Sequence, residues 1–371
     1  MLVAGAGPAG SATAIHLARG GARVLLADRA RFPRDKPCGG GITGRALAQA
    51  PCEVSPVVEH TVDTFELRLR FGRSFRRTSE KPLILMTQRR RLDAYLVEQA
   101  VAAGAAFRDG APVSDIALGD DEISARVGGT PVRAGVIVGA DGANGIVARA
   151  AGLEEGIVRG VALEGNVDWA LLDRERYART AVIEFGQPSG GYGWVFPKGD
   201  HANIGVGGWA SEGPRLRASL ALVAQAHGVA ADSLTDVRGH RLPMRRLGNA
   251  RPAAGRFVLV GDAAGLVDPL SGDGIYEAFT SARLAAEAIL AGDLTLYTAA
   301  LSRALDHHAR ASWTAKHALD RHPSVCFWAS RSPGVFGAVA GLLRGDIRHP
   351  DEAGGLARPP LRLIARLARH A

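Results

Sequence analysis

The chain has 371 residues, 47% of them hydrophobic, with a formal net charge of +8, which suits one large or two interleaved domains and excludes a disordered chain. This positive charge favours anionic partners such as phosphates, acidic lipids or an acidic electron donor. Four of the 45 basic residues are Lys and the other 41 are Arg. An aromatic content of 6% and the lack of a recognisable motif argue against nucleic acid binding, and three cysteines predict no disulfide framework.

The chain opens on a strand, a glycine turn and a helix with the spacing of a dinucleotide fingerprint. Leu2-Val3-Ala4 leads into Gly5-Ala6-Gly7-Pro8-Ala9-Gly10, and the next apolar run ends on Asp28, 23 residues after Gly5. The glycines let the backbone approach a pyrophosphate, the helix N-terminus supplies positive charge, and the acid takes a ribose. A glycine-rich turn that binds nothing is the alternative, and we favour the dinucleotide site.

A charged loop broken by Pro and Gly follows, from Arg29 to Thr43, with three glycines directly after Cys38. Such a loop brings its backbone close to a flat or bulky ligand. The stretch Phe65–Phe71 alternates apolar and charged residues and predicts a half-buried strand of a second sheet. A helix is predicted from Gln88, opening with three arginines at 89–91, which would often be only a solvated start.

Short strands are predicted between Val113 and Val132, followed by a second acid at a strand end, Asp141, which could also be an ordinary Asp-Gly turn. Residues 179–209 alternate strand and turn signals and predict an antiparallel meander. Three aromatic residues in it share one face of a strand, either as core or as one wall of an apolar pocket. These are Tyr192, Trp194 and Phe196.

A second strand, loop and helix unit begins at Arg256. Its strand ends at Gly261-Asp262, its loop carries Gly272 and Gly274, and its helix runs from Ile275 to Leu290. A strand that delivers one carboxylate to a helix N-terminus suits a ligand with hydroxyls near an anion.

The C-terminal region is predicted to be mostly helical. It contains His307, His308, His317 and His322, for which we predict a packed or solvated helix and no metal site, because no carboxylate spacing completes a ligand set. The last segment, 358–370, has the pattern of a basic amphipathic helix. It either packs on its own domain or lies on an anionic membrane surface.

Together these elements resemble the geranylgeranyl reductase family, within the flavoproteins of the aromatic-hydroxylase fold. The resemblance covers roughly residues 1–345. It is carried by Lys36-Pro-Cys-Gly-Gly-Gly-Ile-Thr43, by Tyr192-Gly-Trp-Val-Phe-Pro197 with the following residues to Val206, and by Gly261-Asp-Ala-Ala-Gly265 through Ile275. Two departures are Gly265, where hydroxylases of this fold usually have His, and Gly145, where Ser is frequent.

The resemblance implies an α/β fold, in which a Rossmann-type FAD-binding domain is interleaved with an antiparallel substrate domain and followed by a helical C-terminal region. We assign residues 1–60, 81–155 and 250–298 to the first, 61–80 and 156–249 to the second, and 299–371 to the third. The implied activity is the reduction of carbon–carbon double bonds in an isoprenoid lipid or quinone by an FAD-dependent oxidoreductase.

The resemblance also implies roles for single residues. The cofactor-binding residues would be Gly5, Gly7, Pro8, Ala9, Gly10, Asp28, Arg29, Cys38, Gly39, Gly40, Arg89, Asp141, Gly261, Asp262, Gly272, Gly274 and Ile275. The substrate would contact Gly41, Tyr192, Trp194 and Phe196. The neighbouring Arg90 and Arg91 are alternative candidates for the cofactor contact assigned to Arg89.

An isolated alkene accepts a hydride poorly, so an acid must protonate the second carbon. Cys38 is the candidate catalytic acid, since thiols are largely protonated at neutral pH, and a structural Cys is the alternative. Backbone amides at Gly274-Ile275 would stabilise negative charge on the reduced flavin. Electrons would come from NAD(P)H or from a small reduced ferredoxin-like protein.

Two other functions remain open: a flavin-dependent monooxygenase or halogenase on the same fold, and a non-catalytic flavoprotein that binds lipid or relays electrons. The chain begins directly on the first strand, and its longest uncharged apolar stretch, Gly334–Leu343, is too short to span a bilayer. We therefore expect a cytoplasmic protein, with peripheral contact at the inner face of the membrane through the basic C-terminal helix as the alternative.

Overall fold

The structure is a computed structural model that describes residues 1–245 and 251–369. The predicted boundary at residues 249 and 250 and the last residues of the basic segment, from His370, lie outside this range. Within it, no helix is long and apolar enough to cross a membrane.

Nineteen strands occur in the described part of the chain. In order they are Leu2–Ala4 (β1), Leu25–Ala27 (β2), Gly41–Thr43 (β3), His60–Val62 (β4), Thr64–Leu69 (β5), Arg73–Thr78 (β6), Ile84–Met86 (β7), Ala106–Arg108 (β8), Val113–Leu118 (β9), Ile123–Val127 (β10), Thr130–Ala134 (β11), Ile137–Gly139 (β12), Val158–Asp168 (β13), Thr180–Phe185 (β14), Tyr192–Pro197 (β15), His201–Trp209 (β16), Thr235–Met244 (β17), Ala253–Ala254 (β18) and Phe257–Leu259 (β19).

Eleven α-helices occur in the same residues. They are Pro8–Arg19 (α1), Gly44–Leu47 (α2), Arg89–Ala102 (α3), Val147–Ala150 (α4), Arg174–Tyr177 (α5), Leu216–Ala226 (α6), Ile275–Leu290 (α7), Thr295–Arg321 (α8), Pro323–Ser330 (α9), Pro333–Arg344 (α10) and Arg358–Arg369 (α11).

The first sheet has six strands in the order β18-β19-β12-β1-β2-β8, all parallel except β18. Its central strands β1, β12 and β19 are short, apolar and fully buried, as expected for parallel strands covered on both faces. Helices α1 and α7 pack against each other beside it. The carboxyl ends of these strands lead to Gly5, Asp141 and Asp262, so the three predicted motifs meet at one edge of the sheet.

The second large sheet has seven strands in the order β17-β13-β16-β15-β14-β5-β6. All neighbours are antiparallel except β14 and β5. One face is covered by α6, and a hydrophobic core forms between Val182, Val195 and Ile204 of the sheet and Leu220 and Val223 of the helix. Two small three-stranded sheets, β11-β10-β9 and β3-β7-β4, complete the strands.

The predicted fold class is therefore confirmed: a Rossmann-type parallel sheet, an antiparallel sheet and a helical C-terminal region. One element ends earlier than predicted. Strand β5 stops at Leu69 because Arg70 and Phe71 adopt positive φ angles of 46° and 61° and form the turn into β6. Those angles cannot continue a strand.

Candidate active site

A single cavity of about 880 Å³ connects the two large sheets and the C-terminal helices. One end lies at the turn between β1 and α1, and its middle passes the segment after Cys38 and the loop before α7. The other end is bordered by the aromatic residues of β15 and by the helices α8 and α10. Elements far apart in sequence thus form one continuous wall.

The glycine turn is shaped by backbone contacts that leave no room for a side chain. Gly5 has φ +101°, and a Cβ there would lie 2.3 Å from the carbonyl oxygen of Ala140. A Cβ on Gly10 would lie 1.8 Å from the carbonyl oxygen of Gly5. Gly7 instead faces the cavity, where a Cβ would lie 3.6 Å from guanidinium nitrogens of both Arg34 and Arg89. Gly5 and Gly10 therefore build the turn, and Gly7 opens it towards two positive charges.

The predicted ribose-binding acid, Asp28, lies next to this turn. Its carboxylate accepts hydrogen bonds from the amides of Ala6 at 2.8 Å and Ala30 at 2.9 Å, and Arg34 lies 3.9 Å away. The first bond ties the strand-end acid to the glycine turn. Arg29, directly after it, also lines the cavity.

Among the three arginines at 89–91, the structure singles out Arg89. Arg89 is buried, lines the cavity and binds both carboxylate oxygens of Asp93 at 2.7 Å, whereas Arg90 and Arg91 are exposed. Burial by itself lowers the pKa of Arg89, but Asp93 outweighs it and holds that pKa above the usual value. The helical spacing of four residues makes this pair and fixes the guanidinium in place.

Asp262 lies between Lys36 and His240. Lys36 Nζ lies 3.1 Å and His240 Nε2 lies 3.6 Å from its Oδ2. Burial raises the pKa of Asp262, but Lys36 and His240 outweigh this effect and hold the pKa well below its usual range. A Cβ on Gly274 would lie 3.2 Å from Asp262 Oδ1, so the acid lies beside the start of α7, as predicted.

Asp141 anchors the chain after β12. Its Oδ2 accepts hydrogen bonds from the amides of Ile146 at 2.6 Å and Val147 at 3.1 Å. Its Oδ1 is buried without a protein partner among the described residues, and burial raises the pKa of this carboxyl. A Cβ on Gly145 would lie 2.1 Å from the Asp141 carboxyl group, which explains glycine at a position where Ser is frequent.

Two side chains from the antiparallel sheet and its edge hold the backbone at Cys38. The Cys38 amide donates to Glu164 Oε1 at 2.7 Å, and Lys198 Nζ donates to the Cys38 carbonyl at 3.0 Å. Burial raises the pKa of Glu164 and lowers that of Lys198, while each charge opposes the shift of the other. The backbone of this segment is therefore fixed by two side chains from β13 and the end of β15.

The three glycines after Cys38 are required by close approaches. A Cβ on Gly39 would lie 2.9 Å from the Phe196 ring, and one on Gly41 would lie 2.8 Å from Ile84 Cγ2. Gly40 has φ +79°, and its Cβ would lie 2.1 Å from the Thr87 carbonyl oxygen. The segment runs tightly between β7 and β15, with the Cys38 side chain half-buried at the cavity.

Tyr192, Trp194 and Phe196 form a continuous aromatic row on the cavity wall. Their ring centroids are 5.9 Å and 6.1 Å apart, and Trp194 Nε1 donates to Asn203 Oδ1 at 2.8 Å. The sequence left open whether these residues are core or one wall of a pocket. They are both, since Trp194 is buried and all three line the cavity.

The N-terminus of α7 differs from the expectation in one respect. The Ile275 amide donates to Asp273 Oδ1 at 2.9 Å, so this amide is already paired and is not free for a ligand. Gly272, Gly274 and Ile275 themselves line the cavity as predicted. Negative charge on a reduced flavin would be stabilised here by the helix dipole and the neighbouring backbone.

A buried polar cluster lies beyond this helix start. Arg45 Nη1 lies 2.6 Å from His308 Nε2, and Asp268 Oδ2 lies 3.4 Å from the same nitrogen. Arg45 also approaches Asp273 at 3.6 Å and Glu277 at 4.0 Å. Burial and Asp273 raise the pKa of Glu277 well above its ordinary value. One guanidinium thus lies between two carboxylates, and burial together with Asp273 favours the uncharged form of Glu277.

The far end of the cavity is apolar. It is formed by Leu319 on α8 and by Val339, Leu342 and Leu343 on α10. Sequence reasoning missed α10 here, because its apolar run indicated only a segment too short to span a bilayer.

Two predicted residues, Gly10 and Gly261, are not part of the cavity wall. They shape it indirectly, since a Cβ on Gly261 would lie 2.8 Å from Ala9 Cβ. Sequence reasoning missed Arg34, Glu164 and Lys198 as contributors to the site. The only signal for Lys198 was the rarity of lysine in an arginine-rich chain.

The wall fits a flavin dinucleotide. At the glycine turn, a helix N-terminus and the guanidinium groups of Arg34 and Arg89 face one stretch of cavity, which is the donor set for a pyrophosphate. The close-packed glycines after Cys38 allow a flat ring to lie against backbone.

Comparisons with known proteins agree with this geometry. Residues 1–292 match the model of the FAD binding domain family, which supports FAD as the cofactor. The menaquinone reductase of Mycolicibacterium smegmatis is 32% identical over 336 residues, covering 84% of this chain and 81% of that protein. The chloroplastic geranylgeranyl diphosphate reductase of Arabidopsis thaliana is 31% identical over 322 residues, covering 78% and 65%.

Solved structures show the same fold. A geranylgeranyl bacteriochlorophyll reductase-like protein from Thermoplasma acidophilum has a TM-score of 0.81 at 22% identity, covering 99% of this chain and 98% of that chain. A flavin-dependent brominase has a TM-score of 0.76 at 17% identity, covering 100% and 99%. At such identities the likeness concerns the fold alone. From the family match and the relatives above 30% identity, the chain belongs to the geranylgeranyl reductase family of FAD-binding flavoproteins.

Proposed function

We propose that the protein is an FAD-dependent oxidoreductase that reduces carbon–carbon double bonds of an isoprenoid chain. The observation that carries this proposal is the single cavity, which joins the dinucleotide turn, the Cys38 segment and an apolar end. A chemistry that brings a flavin against a long apolar chain needs such a space. The geranylgeranyl diphosphate and menaquinone reductases among the relatives support the same substrate class.

When bound, FAD would supply the hydride from its N5 position. Gly7, Arg34 and Arg89 are the residues that would meet the pyrophosphate, and Asp28 would meet the adenosine ribose. Asp262, with its low pKa, stays ionised and would accept hydroxyl protons of the ribityl chain. The remaining candidates would line the same path, namely Gly5, Pro8, Ala9, Arg29, Gly39, Gly40, Asp141, Gly272, Gly274 and Ile275.

Cys38 is the proposed proton donor. Its backbone is held by Glu164 and Lys198 at 2.7 Å and 3.0 Å, so the thiol is presented from a fixed position at the cavity. Fixed placement is what general acid catalysis requires, because the proton must reach the alkene carbon as the hydride arrives at its neighbour. The Gly40 amide lies 3.4 Å from Sγ and would stabilise the thiolate left behind.

The isoprenoid tail would lie along Gly41 and the aromatic row, and would end at the apolar residues of α8 and α10. By their names, the two relatives act on menaquinone and on geranylgeranyl diphosphate. Both of these substrates carry isoprenoid chains. NAD(P)H or a ferredoxin-like protein would supply the electrons, and the basic surface suits either anionic partner.

The test is an anaerobic half-reaction. Protein reduced with dithionite is mixed with a geranylgeranyl lipid, whose double bonds are its only electron-accepting groups, and flavin reoxidation is followed by absorbance. A fully saturated chain of equal length is the matched control. We expect reoxidation with the unsaturated lipid only. Equal rates with both lipids, or reoxidation by neither, would contradict the proposal.

A second candidate is a flavin-dependent monooxygenase or halogenase, favoured by the likeness to the brominase fold. It would keep its reduced flavin until oxygen is admitted. Gly265, with φ +66°, stands where hydroxylases of this fold usually have His, which favours the reductase. A non-catalytic lipid-binding or electron-relay flavoprotein would form no product in either atmosphere.

A further inference from the structure

The face of the seven-stranded sheet that borders the cavity continues to the edge strand β6. Trp194 on β15 pairs with Ile183 on β14, and both line the cavity. Phe65 on β5 also lines the cavity and lies directly opposite Arg77 on β6. Side chains that oppose each other across neighbouring strands point to the same side of a sheet. Arg77, and Arg73 four residues before it, therefore lie on the cavity face, at its outer edge.

Helix α9 lies over this edge and adds a third arginine. Phe327 on α9 packs against Phe75 on β6, with ring centroids 5.2 Å apart. Arg331 follows the end of α9, and its carbonyl oxygen accepts a hydrogen bond from Arg77 Nη2 at 2.6 Å. The junction of α9 and α10 is thus tied to the edge strand. The three arginines at this place, called the arginine rim below, are Arg73, Arg77 and Arg331.

The indole ring of Trp328 holds two of these arginines in position. The guanidinium carbons of Arg73 and Arg331 lie 5.2 Å and 5.0 Å from its ring centroid. A guanidinium stacked on an aromatic ring keeps the N–H donors at its edge available. Trp328 is itself 45% exposed, so a ligand can reach both groups from solvent.

No carboxylate neutralises the arginine rim. On the opposite face of the same strands, Arg76 pairs with Glu66 at 2.8 Å and Arg68 pairs with Glu184 at 3.1 Å. None of the three rim arginines forms an ion pair with another residue that the structure describes. The Nε of Arg77 is also buried without a hydrogen-bond partner in the same part of the chain. Neighbouring positive charges without acids between them favour the binding of an anion.

The arginine rim lies beside the open end of the cavity. Val339 on α10 lines the cavity and is 42% exposed. Helix α10 begins two residues after Arg331, and Arg344 at its other end donates to Ser79 Oγ, just beyond β6, at 3.1 Å. Both ends of α10 are therefore tied to the edge strand or its end. The path described for the isoprenoid chain, along the aromatic row to α8 and α10, ends next to the rim.

We propose that Arg73, Arg77 and Arg331 bind the phosphate or diphosphate headgroup of an isoprenoid substrate while its chain extends into the cavity. This inference rests on the proposed reduction of isoprenoid chains and narrows the substrate class to chains with an anionic headgroup. Arginine suits the role because its planar group donates two parallel hydrogen bonds to phosphate oxygens. An uncharged headgroup would leave the rim unpaired. The bound headgroup would also fix which double bond of the chain lies next to Cys38.

The test measures binding to the oxidised, FAD-loaded protein, in which no turnover occurs. Geranylgeranyl diphosphate and geranylgeraniol share the chain and differ only in the headgroup, and both are titrated by calorimetry in the same neutral detergent. Inorganic pyrophosphate and phosphatidylglycerol vesicles present the same anion chemistry as a free ion and as a membrane surface. The variants are Arg73→Gln, Arg331→Gln and the charge-retaining Arg331→Lys. Arg217→Gln, on helix α6 at the opposite face of the sheet, is the matched control.

We expect the wild type and Arg217→Gln to bind the diphosphate about a hundredfold more tightly than the alcohol. Each Gln variant should lose about tenfold or more of the affinity for the diphosphate, and Arg331→Lys should lose less. Pyrophosphate should bind more weakly than the full diphosphate and respond to the same variants. The affinity for the alcohol should stay unchanged throughout, which shows that the fold and the cavity of each variant are intact.

Equal affinity of the wild type for the diphosphate and the alcohol would overturn the headgroup site and leave the proposed isoprenoid reduction standing. Binding of neither compound would overturn both. Gln variants that keep the affinity for the diphosphate would also overturn the site, and a loss of vesicle binding in those variants would assign the rim to a membrane contact.

Discussion

Two of the four lysines in this arginine-rich chain line the cavity, and a third, Lys198, holds a segment of its wall. Lys36 pairs with Asp262, Lys198 holds the Cys38 carbonyl, and Lys316 donates to the Gly190 carbonyl at 3.0 Å. A Cβ on Gly40 would lie only 2.3 Å from Lys198 Nζ, a space that a planar guanidinium could not share. Lysine is retained where a compact point charge is needed, and its rarity elsewhere is a signal that sequence reasoning could have used.

The proposed role of Cys38 as proton donor can be tested by substituting this residue. Cys38→Ser replaces the thiol with a much weaker acid of similar size, so product formation should slow by about a hundredfold or more. FAD should remain bound, because the backbone bonds to Glu164 and Lys198 are unchanged. The measurement is single-turnover product formation together with the flavin absorbance.

Cys52→Ser is the matched control, since Cys52 lies outside the cavity wall and should leave the rate unchanged. An unchanged rate in Cys38→Ser would remove this thiol from the mechanism and leave Cys38 with a structural role.

His227 gives a pH-dependent prediction for stability. Its Nδ1 lies 2.8 Å from the Tyr177 hydroxyl, and burial, with a smaller contribution from Arg68, lowers its pKa to about 4. Between pH 6.5 and 4 the unfolded chain therefore binds a proton that the folded chain does not. Stability should fall as the pH drops through this window, by about 3 kcal/mol for this residue.

Urea unfolding of wild type and His227→Gln at pH 7, 6, 5 and 4 measures this effect. The difference in free energy of unfolding between the two proteins should change across the window by that amount. A constant difference at all four pH values would show that His227 titrates normally in the fold.

At the scale of elements, the sequence predicts most of the frame. The strand ends at Asp28, Asp141 and Asp262 follow from short apolar runs and glycine signals, and α1, α3 and α7 follow from helical periodicity. The end of β5 was predicted two residues too late, because left-handed angles at Arg70 and Phe71 leave no trace in an alternating pattern.

Tertiary contacts decide what local patterns cannot. Packing of α3 buries Arg89 against Asp93 and exposes Arg90 and Arg91, a choice that three adjacent arginines conceal. Likewise, Glu164 and Lys198 reach Cys38 only because β13 and β15 lie in the same sheet. Such pairings depend on topology and not on spacing.

The turn between β1 and α1 carries a prediction of its own. Gly10→Ala would place a methyl group 1.8 Å from the Gly5 carbonyl oxygen, so α1 must move away from the turn. We expect loss of bound FAD, read as the ratio of flavin to protein absorbance, with the helix content kept.

Gly135→Ala is the control, since a Cβ there meets nothing within 4 Å. If Gly10→Ala purified with full FAD content, the turn would not be part of the cofactor site.

At the scale of the whole molecule, the cavity lies where the two large sheets and the C-terminal helices meet. Helix α11 packs against α8, and Leu361 contacts the cluster around Ala338 and Ala357. Arg362 and Arg366 are exposed on the same helix. The helix therefore packs on its own domain and still presents basic side chains outward, which supports the peripheral membrane contact as a proposal.

Charge reversal tests this contact. Arg362→Glu/Arg366→Glu should weaken sedimentation with anionic phospholipid vesicles by about tenfold or more, because each basic residue near such a surface contributes about 1 kcal/mol. Arg215→Glu/Arg217→Glu, on the distant helix α6 and its approach, is the matched control. Equal binding by both double variants would rule out α11 as the contact.

The most direct test of the central proposal is the mass of the product. Reduced protein is turned over once with a geranylgeranyl lipid, in one sample under nitrogen and in another under ¹⁸O₂. A reductase predicts a product two hydrogens heavier per reduced double bond, formed under nitrogen and free of ¹⁸O. A product that appears only with oxygen and carries the label would contradict the account and establish a monooxygenase.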